Sequence, residues 1–231
     1  MSAIVVFSGG LDSTVLLTFM KEKDKTTALN FNYGSKHNEK ERGRAREICK
    51  VLGVDLIEVD LPFINDLFES DLLRSGKDIP EGYYTAQSMS RTVVPFRNGI
   101  MLSIAAGLAE SIKAEGVYIA SHQGDHPIYP DCSLEFNRAM DKAIREGTKG
   151  KVHLVAPFAS MTKADIVKIG LTLKAPLDLA WSCYKGEERP CLRCGTCQER
   201  IEAFILNGVK DPALTSEEWS EALKVLKRPS E

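Results

Sequence analysis

Six consecutive residues, Ser8-Gly9-Gly10-Leu11-Asp12-Ser13, combine what a phosphate group needs from a protein. Two adjacent glycines let the backbone come close to a ligand. Ser8 and Ser13 add hydroxyl donors. Free amides at a helix start, with the helix macrodipole behind them, favour an anion. Asp12 is the odd member, because a bare carboxylate repels phosphate. It makes sense if it holds a magnesium ion that bridges to the phosphates. The plainer alternative is a glycine turn in which Asp12 or Ser13 only caps a helix. Context favours the nucleotide. Ala3–Phe7 is short, branched and apolar, as in a strand buried on both faces, and a helical run, Thr14–Lys21, follows the loop at once. The loop is neither a Walker loop nor a G-x-G-x-x-G turn.

Cys183, Cys191, Cys194 and Cys197 form C-x7-C-x2-C-x2-C. A tetrahedral zinc ion takes four soft ligands, and each C-x2-C pair supplies two from one tight turn. Gly195 inside the knuckle permits backbone angles that a side chain forbids. Four ligands leave no open position, so the spacing predicts a structural site. An iron–sulfur cluster uses the same spacing and is the main competitor; unconnected thiols are the third option. Cys49 sits with Ile48 and Leu52 on a helix face and reads as core.

Further candidates lie between these two motifs. In Pro95-Phe96-Arg97-Asn98, Asn98 is a good N-cap. Arg97 would then stand at a helix start, where a guanidinium clamps phosphate oxygens; an exposed surface arginine is the alternative. Lys163 falls in the first turn of a helix, against the macrodipole. Phosphate opposite would explain it, as would solvation. The segment 124–132, GDHPIYPDC, places Asp125 and Asp131 around Tyr129. Those carboxylates suit the paired N–H donors of a guanine-like edge, and Tyr129 or Phe136 suits stacking on a flat base. An ordinary turn explains the same residues. Cys132 has only His122 and His126 near it in sequence, a poor case for a nucleophile. His37, beside Ser35 and Lys36, could also line the site.

Strands and helices alternate along the chain, which predicts a parallel sheet covered on both faces. Strands are expected at 3–7, 28–33, 55–60, 116–120 and 152–156, and helices at 13–23, 38–52, 98–114, 134–146 and 162–173. Thr162 and Asp165 form a capping box. Residues 61–92 read as a long irregular loop, functional or mobile, and two short helices follow the cysteines. The fold class is therefore α/β, a doubly wound, Rossmann-like parallel sheet. An ATP-binding domain spans 1–178 and a small zinc-binding subdomain 179–231. Ligands of such sheets sit beyond the carboxyl ends of the strands, at the switch point.

The chain has 231 residues, 43% hydrophobic, and a net charge of -2. Arg42, Arg44 and Arg46 alternate with Glu39, Glu41 and Glu47 and read as a solvated face. No basic surface suited to nucleic acid stands out, which favours a small-molecule substrate. No signal peptide and no apolar run near 18 residues is visible, so a cytoplasmic protein without a membrane partner is expected.

The loop 8–13 resembles the pyrophosphate loop of ATP-dependent ligases and amidotransferases. SGGLDS, VPFRN, GDHPIYPDC, MTKADIVKIG and CYKGEERPCLRCGTC, in that order, resemble the 7-cyano-7-deazaguanine synthase family over nearly the whole chain. The resemblance implies an adenine nucleotide alpha hydrolase-like fold. It also implies ATP-dependent conversion of 7-carboxy-7-deazaguanine and ammonia to the nitrile, through an amide, in queuosine or archaeosine biosynthesis. ATP, Mg and Zn are the implied cofactors, and a homodimer is the implied assembly. Carried onto this chain, Ser8–Ser13 bind ATP, and Asp12, Arg97 and Lys163 act on the phosphates. Asp125, Tyr129, Asp131 and Phe136 hold the deazapurine, and the four cysteines hold zinc. The segment between Cys183 and Cys191 is one residue shorter than expected of bacterial members, which bears on loop shape. No glutamine-hydrolysing domain is evident, so free ammonia is the implied nitrogen source. Two other readings remain: a tRNA-modifying thiolase or ligase on the same loop, and an ATP-binding zinc module without turnover.

Overall fold

The computed structural model describes residues 2–23 and 25–226. Five strands form one all-parallel sheet: β1 (Ser2–Val6), β2 (Lys25–Asn32), β3 (Asp55–Asp60), β4 (Gly116–Tyr118) and β5 (His153–Val155). Their spatial order is β3-β2-β1-β4-β5. The order reverses between β1 and β4, so the expected switch point lies at the loop after β1.

Side-chain alternation along the strands builds two cores. Ala3, Val5 and Phe7 face one side of the sheet, and Ile4 the other. On the first side lie α1 (Leu11–Lys21), α2 (Asn38–Leu52) and α7 (Lys163–Thr172), with Val15, Leu16, Ile48 and Ile166 buried against the strands. On the second side lie α5 (Arg97–Ile112) and α6 (Leu134–Gly147), with Leu102, Ala105 and Ile144 buried. By length and composition the helical stretch Ser90–Ile112 is apolar enough to cross a membrane, against the expectation of no such run. Half of it is buried, and Met101, Leu102, Ala105 and Ala109 belong to the core under the sheet.

Several expectations change in detail. Residues 61–92 are not one irregular loop. They contain α3 (Pro62–Leu67), α4 (Ala86–Met89) and a 3-10 turn at Ser90–Thr92. The segment is also pinned: the Lys36 ammonium donates to the carbonyls of Asp71 (2.8 Å), Leu73 and Gly76 (3.2 Å). Asn98 is not the N-cap of α5. The helix starts one residue earlier, after Phe96 in a left-handed conformation (φ 49°). Asp131 supplies the missing acceptor, taking the Asn98 amide at 2.7 Å. The capping box at Thr162 and Asp165 is present as expected.

The last cysteine lies in the first turn of α8 (Gly195–Leu206), and α9 (Ser216–Leu226) follows. Ala203 and Phe204 of α8 pack in the same core as α1 and α7, while Leu192, Ile201, Leu214 and Ala222 form a small cluster of their own. Arg200 clamps this region. Its Nε and one terminal nitrogen donate to Asp211 at 2.6 and 2.9 Å, and the guanidinium reaches the carbonyls of Ala180 and Leu177 at 2.6 and 2.9 Å. Both residues are buried. Arg200→Met leaves Asp211 as an unpaired buried charge, at a cost of about 3–5 kcal/mol. Urea denaturation of Arg200→Met is expected to show that loss, and the double variant Arg200→Met/Asp211→Leu is expected to recover part of it. Wild-type stability for the single variant would remove the clamp from the account.

Candidate active site and metal centre

The loop after β1 is shaped before any ligand arrives. Gly9 has φ +88°, and a Cβ there would lie 2.6 Å from the Glu41 carbonyl oxygen and 3.0 Å from the Ala45 nitrogen. Its glycine therefore serves a left-handed turn and close packing against α2. Ser8 Oγ accepts from the Gly10 amide at 3.0 Å and lies 3.2 Å from Ser13 Oγ, which donates to the Gly10 carbonyl at 3.2 Å. The two hydroxyls thus brace the loop. The amides of Leu11, Asp12 and Ser13 precede the first bond of α1, Thr14 N–H to the Gly10 carbonyl at 3.0 Å. As the first amides of the helix they lack an intrahelical acceptor and are the ones an anion at this turn could use.

Asp12 and Lys163 meet across this loop at 2.6 Å, with Lys163 also 3.2 Å from Glu199 of α8. Burial works to raise the Asp12 carboxyl, but Lys163 and then His122 outweigh it and hold it below the usual carboxylate range. Burial works against the Lys163 charge, and Asp12 and Glu199 hold the ammonium above its ordinary value. Lys163 is therefore a fixed cation. Its helix-start position is explained by two carboxylates, with or without phosphate. The second Asp12 oxygen, Oδ1, is buried without a hydrogen-bond partner. An orphaned carboxylate oxygen beside an anion-binding turn fits a divalent cation with oxygen ligands.

These groups line a cleft of about 1100 Å³, counting the space open to solvent. Arg97 projects into it from the first turn of α5. It lies over the Tyr33 ring at 5.5 Å and bonds Tyr33 Oη (3.3 Å) and Asn98 Oδ1 (3.4 Å). Burial opposes its charge, yet Tyr33 and Asp131 keep it well above its ordinary value. Among the described residues it has no ion pair with a carboxylate, so an anionic ligand is its natural partner.

The other wall is aromatic. Tyr84 donates to Asp125 Oδ1 at 2.8 Å, Tyr129 Oη lies 3.1 Å from Thr92 Oγ1, and His37 stacks on Tyr184 at 5.0 Å. Asp125 and Tyr129 face the cleft as expected. Asp131 and Phe136 do not. Asp131 is buried as the cap of α5, and Phe136 packs edge-on against Phe96 at 5.8 Å, outside the lining. The reason is α6, which begins after Asp131 and carries Phe136 to the outer side of the α5 start. Cys132 does line the cleft, but burial raises its thiol well above the ordinary range, so it is no nucleophile at neutral pH.

Two carboxyls of this site went unseen in the sequence, one lining the cleft and one behind Lys163. Glu199 follows the last cysteine by two residues. Glu41 reads as part of a solvated charge run, yet its side chain lines the cleft, 3.5 Å from His37 Nε2. Burial pushes the Glu41 carboxyl up to about 8, and only Arg97 opposes this. Burial and Arg97 push His37 down to about 3. The pair is therefore a neutral acid on a neutral imidazole below pH 8.

The four cysteine sulfurs all lie within 4.8 Å of one another. That closeness fits one tetrahedral ion, whereas a cuboidal cluster spreads its cysteines further apart. Amide donors from Cys191 and Cys194 reach the sulfurs of Cys183 and Cys191 at 3.3 Å each, as outer-shell bonds that orient thiolates. Gly195 is needed for space, since a Cβ there would sit 2.8 Å from Met89 Sδ. The left-handed residue of the knuckle is Leu192 (φ 60°). The centre is tied to the loop at 8–13, because Trp181 N–H donates to the Gly9 carbonyl at 3.0 Å.

Comparison with known proteins agrees with this geometry. The family model described as queuosine biosynthesis protein QueC matches residues 2–208. A 7-cyano-7-deazaguanine synthase from Archaeoglobus fulgidus is 46% identical over 97% of this chain and 95% of its own length. One from Porphyromonas gingivalis is 50% identical over 91% of this chain and 95% of its own. An NMN synthetase structure from Francisella tularensis has a TM-score of 0.50 at 14% identity. The match covers 97% of this chain and 83% of that one, a likeness of fold alone.

Cys194→Ser removes one of the four ligands and leaves a good N-cap residue at the start of α8. Elemental analysis is expected to show loss of the bound metal, and calorimetry a lower melting temperature, because such a site contributes folding free energy. A metal-free variant with unchanged melting would show that the cluster does not staple the fold.

Proposed function

Because the chain belongs to the queuosine biosynthesis protein QueC family, we infer that it makes 7-cyano-7-deazaguanine. The substrates are 7-carboxy-7-deazaguanine, ammonia and ATP, and the reaction passes through an amide. One observation carries the reading: a braced pyrophosphate-type loop opens onto the same cleft as a half-buried arginine, which has no carboxylate partner among the described residues, and an aromatic wall.

Each residue has a physical task in this reading. The amides of Leu11–Ser13 hold phosphate oxygens, and Arg97 and Lys163 supply fixed positive charge where negative charge grows in the transition state. Asp12 is the residue that would hold magnesium through Oδ1, and magnesium when bound offsets phosphate charge. Asp125, fixed by Tyr84, and Tyr129 are placed for the flat deazapurine. Cys183, Cys191, Cys194 and Cys197 hold a structural zinc ion. Residues 1–178 form the nucleotide-binding part and 179–231 the zinc-bearing part. The substrates are small molecules, without nucleic acid or membrane. A cytoplasmic homodimer follows from the family resemblance.

The chemistry explains why ATP is needed twice. A carboxylate does not react with ammonia until its oxygen becomes a leaving group. An amide does not dehydrate until its oxygen is activated in the same way. One cleft serves both rounds, because both present a carbonyl-type oxygen to ATP.

The test is a mass-spectrometric assay with 7-carboxy-7-deazaguanine, ammonium, magnesium and ATP. Formation of the nitrile is expected, and its nucleotide products identify which ATP bond is cleaved. Asp12→Ala is expected to lower the rate by at least about 10²-fold with zinc content unchanged. No nitrile from a zinc-loaded wild type that binds ATP would overturn the substrate assignment and make tRNA the next substrate to try.

A further inference from the structure

We propose that Glu41, held beside the phosphate loop against His37 and opposite Arg97, accepts the protons that the substrate nitrogen sheds as amide becomes nitrile. The proposal rests on the reaction given above and adds a residue to it.

The chemistry demands such a group. In the second round the amide oxygen attacks a phosphorus of ATP. An oxygen–phosphorus bond forms, a phosphoanhydride bond breaks, and one N–H proton leaves. The product is an imidate whose oxygen carries the nucleotide or phosphate fragment. That carbon–oxygen bond then breaks, and the fragment departs with its oxygen. The electrons of the remaining N–H bond become the third carbon–nitrogen bond, and a second proton leaves. Two protons must go from one nitrogen. In the first round the nitrogen is cationic after ammonia attacks, so it loses its proton readily. An amide N–H is a weak acid and needs a positioned acceptor.

Geometry puts Glu41 forward. Its carboxyl lines the cleft, with Oε1 3.8 Å from where a Cβ on Gly10 would stand. It therefore borders the turn where the reacting phosphates bind. The groups facing it are Arg97 of α5, Tyr33 beyond β2, and His37 at the start of its own helix. His37 is buried, stacked on Tyr184, and fixes the carboxyl at 3.5 Å.

The other titratable groups of the cleft are already committed. Asp12 is ion-paired with Lys163, and Asp125 accepts from Tyr84 and from the His122 amide. Lys163 and Arg97 stay charged. Tyr84, Tyr129, Tyr184 and Cys132 are pushed up by burial, and His37 is too weak a base. Glu41, pushed up to about 8, both takes a proton and returns it to water near neutral pH.

The experiment supplies the amide itself with ATP and magnesium, so that only the second round is read. Wild type is expected to form nitrile at a rate that rises with pH and levels off above about 8. Glu41→Gln keeps the shape and the hydrogen-bonding ability of the side chain but cannot titrate. It is expected to slow kcat by about 10²-fold or more, lose the pH limb, and leave the KM for ATP within about twofold. Glu41→Asp is expected to recover part of the rate. Full-speed Glu41→Gln, or a change in KM alone, would overturn the proposal. So would a wild-type profile without a limb near 8, which can be read even if the variants fail to fold. A wild type that converts neither acid nor amide indicts the substrate assignment instead.

Discussion

The Lys163 ammonium sits between two carboxylates that reach it from far along the chain. Asp12 comes from the first turn of α1 and Glu199, 187 positions later, from the helix that carries the last cysteine, with separations of 2.6 and 3.2 Å. Neither contact forms unless three parts of the fold dock correctly: β1 with its loop, α7 and α8. His122 extends the set, 3.8 Å from Glu199 and 3.5 Å from Asp125. A desolvated charge left without a partner costs several kcal/mol, whereas a correctly placed one is nearly neutral. The network therefore penalises misdocking more than it rewards docking. It keeps the catalytic geometry unique.

The cysteine cluster acts on the same network through the backbone. Cys194 is the N-cap of α8 and Cys197 lies in its first turn, so the knuckle sets where that helix starts and how it is rotated. Glu199 and Arg200 follow in the next turn, one toward Lys163 and the other toward Asp211 and the 177–182 segment. That segment returns to the phosphate loop through Trp181 and Gly9. The cysteine cluster, whose four sulfurs lie within 4.8 Å of one another, thus helps to set the shape of the candidate site through α8 and the 177–182 segment. The long segment 61–92 is held from the same side, since Glu81 bridges Cys194 in an antiparallel pair and bonds Lys185 at 2.6 Å.

What could be read from the sequence was local in origin. The strand–loop–helix at the start, the cysteine spacing and the 162–165 capping box each need only neighbours in sequence, and each is present in the structure. The parallel sheet followed from element order. What failed depended on where distant elements meet. Proximity to Tyr129 in sequence suggests the cleft for Phe136 and Asp131, but Phe136 packs against Phe96 and Asp131 caps the start of α5. Glu199 carried no signal, because its partner Lys163 is known only from tertiary packing. Glu41 did carry one. It is four residues before Ala45 and seven before Ile48, both fully buried, so it shares the inward stripe of α2 despite its charged neighbours. The alternation of arginine and glutamate hid a helical period.

Glu41 also shows how the cleft handles an excess of anions. Bringing phosphates to a turn already bordered by Asp12, Asp125 and Glu199 invites repulsion. Part of it is met by Lys163 and Arg97, which are held charged. Part is met by keeping a carboxyl protonated, as burial does for Glu41. Binding of ATP adds negative charge beside Glu41 and pushes its carboxyl further toward the neutral form. Departure of the charged fragment relaxes it again. The basicity of that position therefore follows the progress of the reaction. It is higher while phosphates occupy the turn and lower once they leave, so the site takes up a proton during the reaction and releases it to water afterwards.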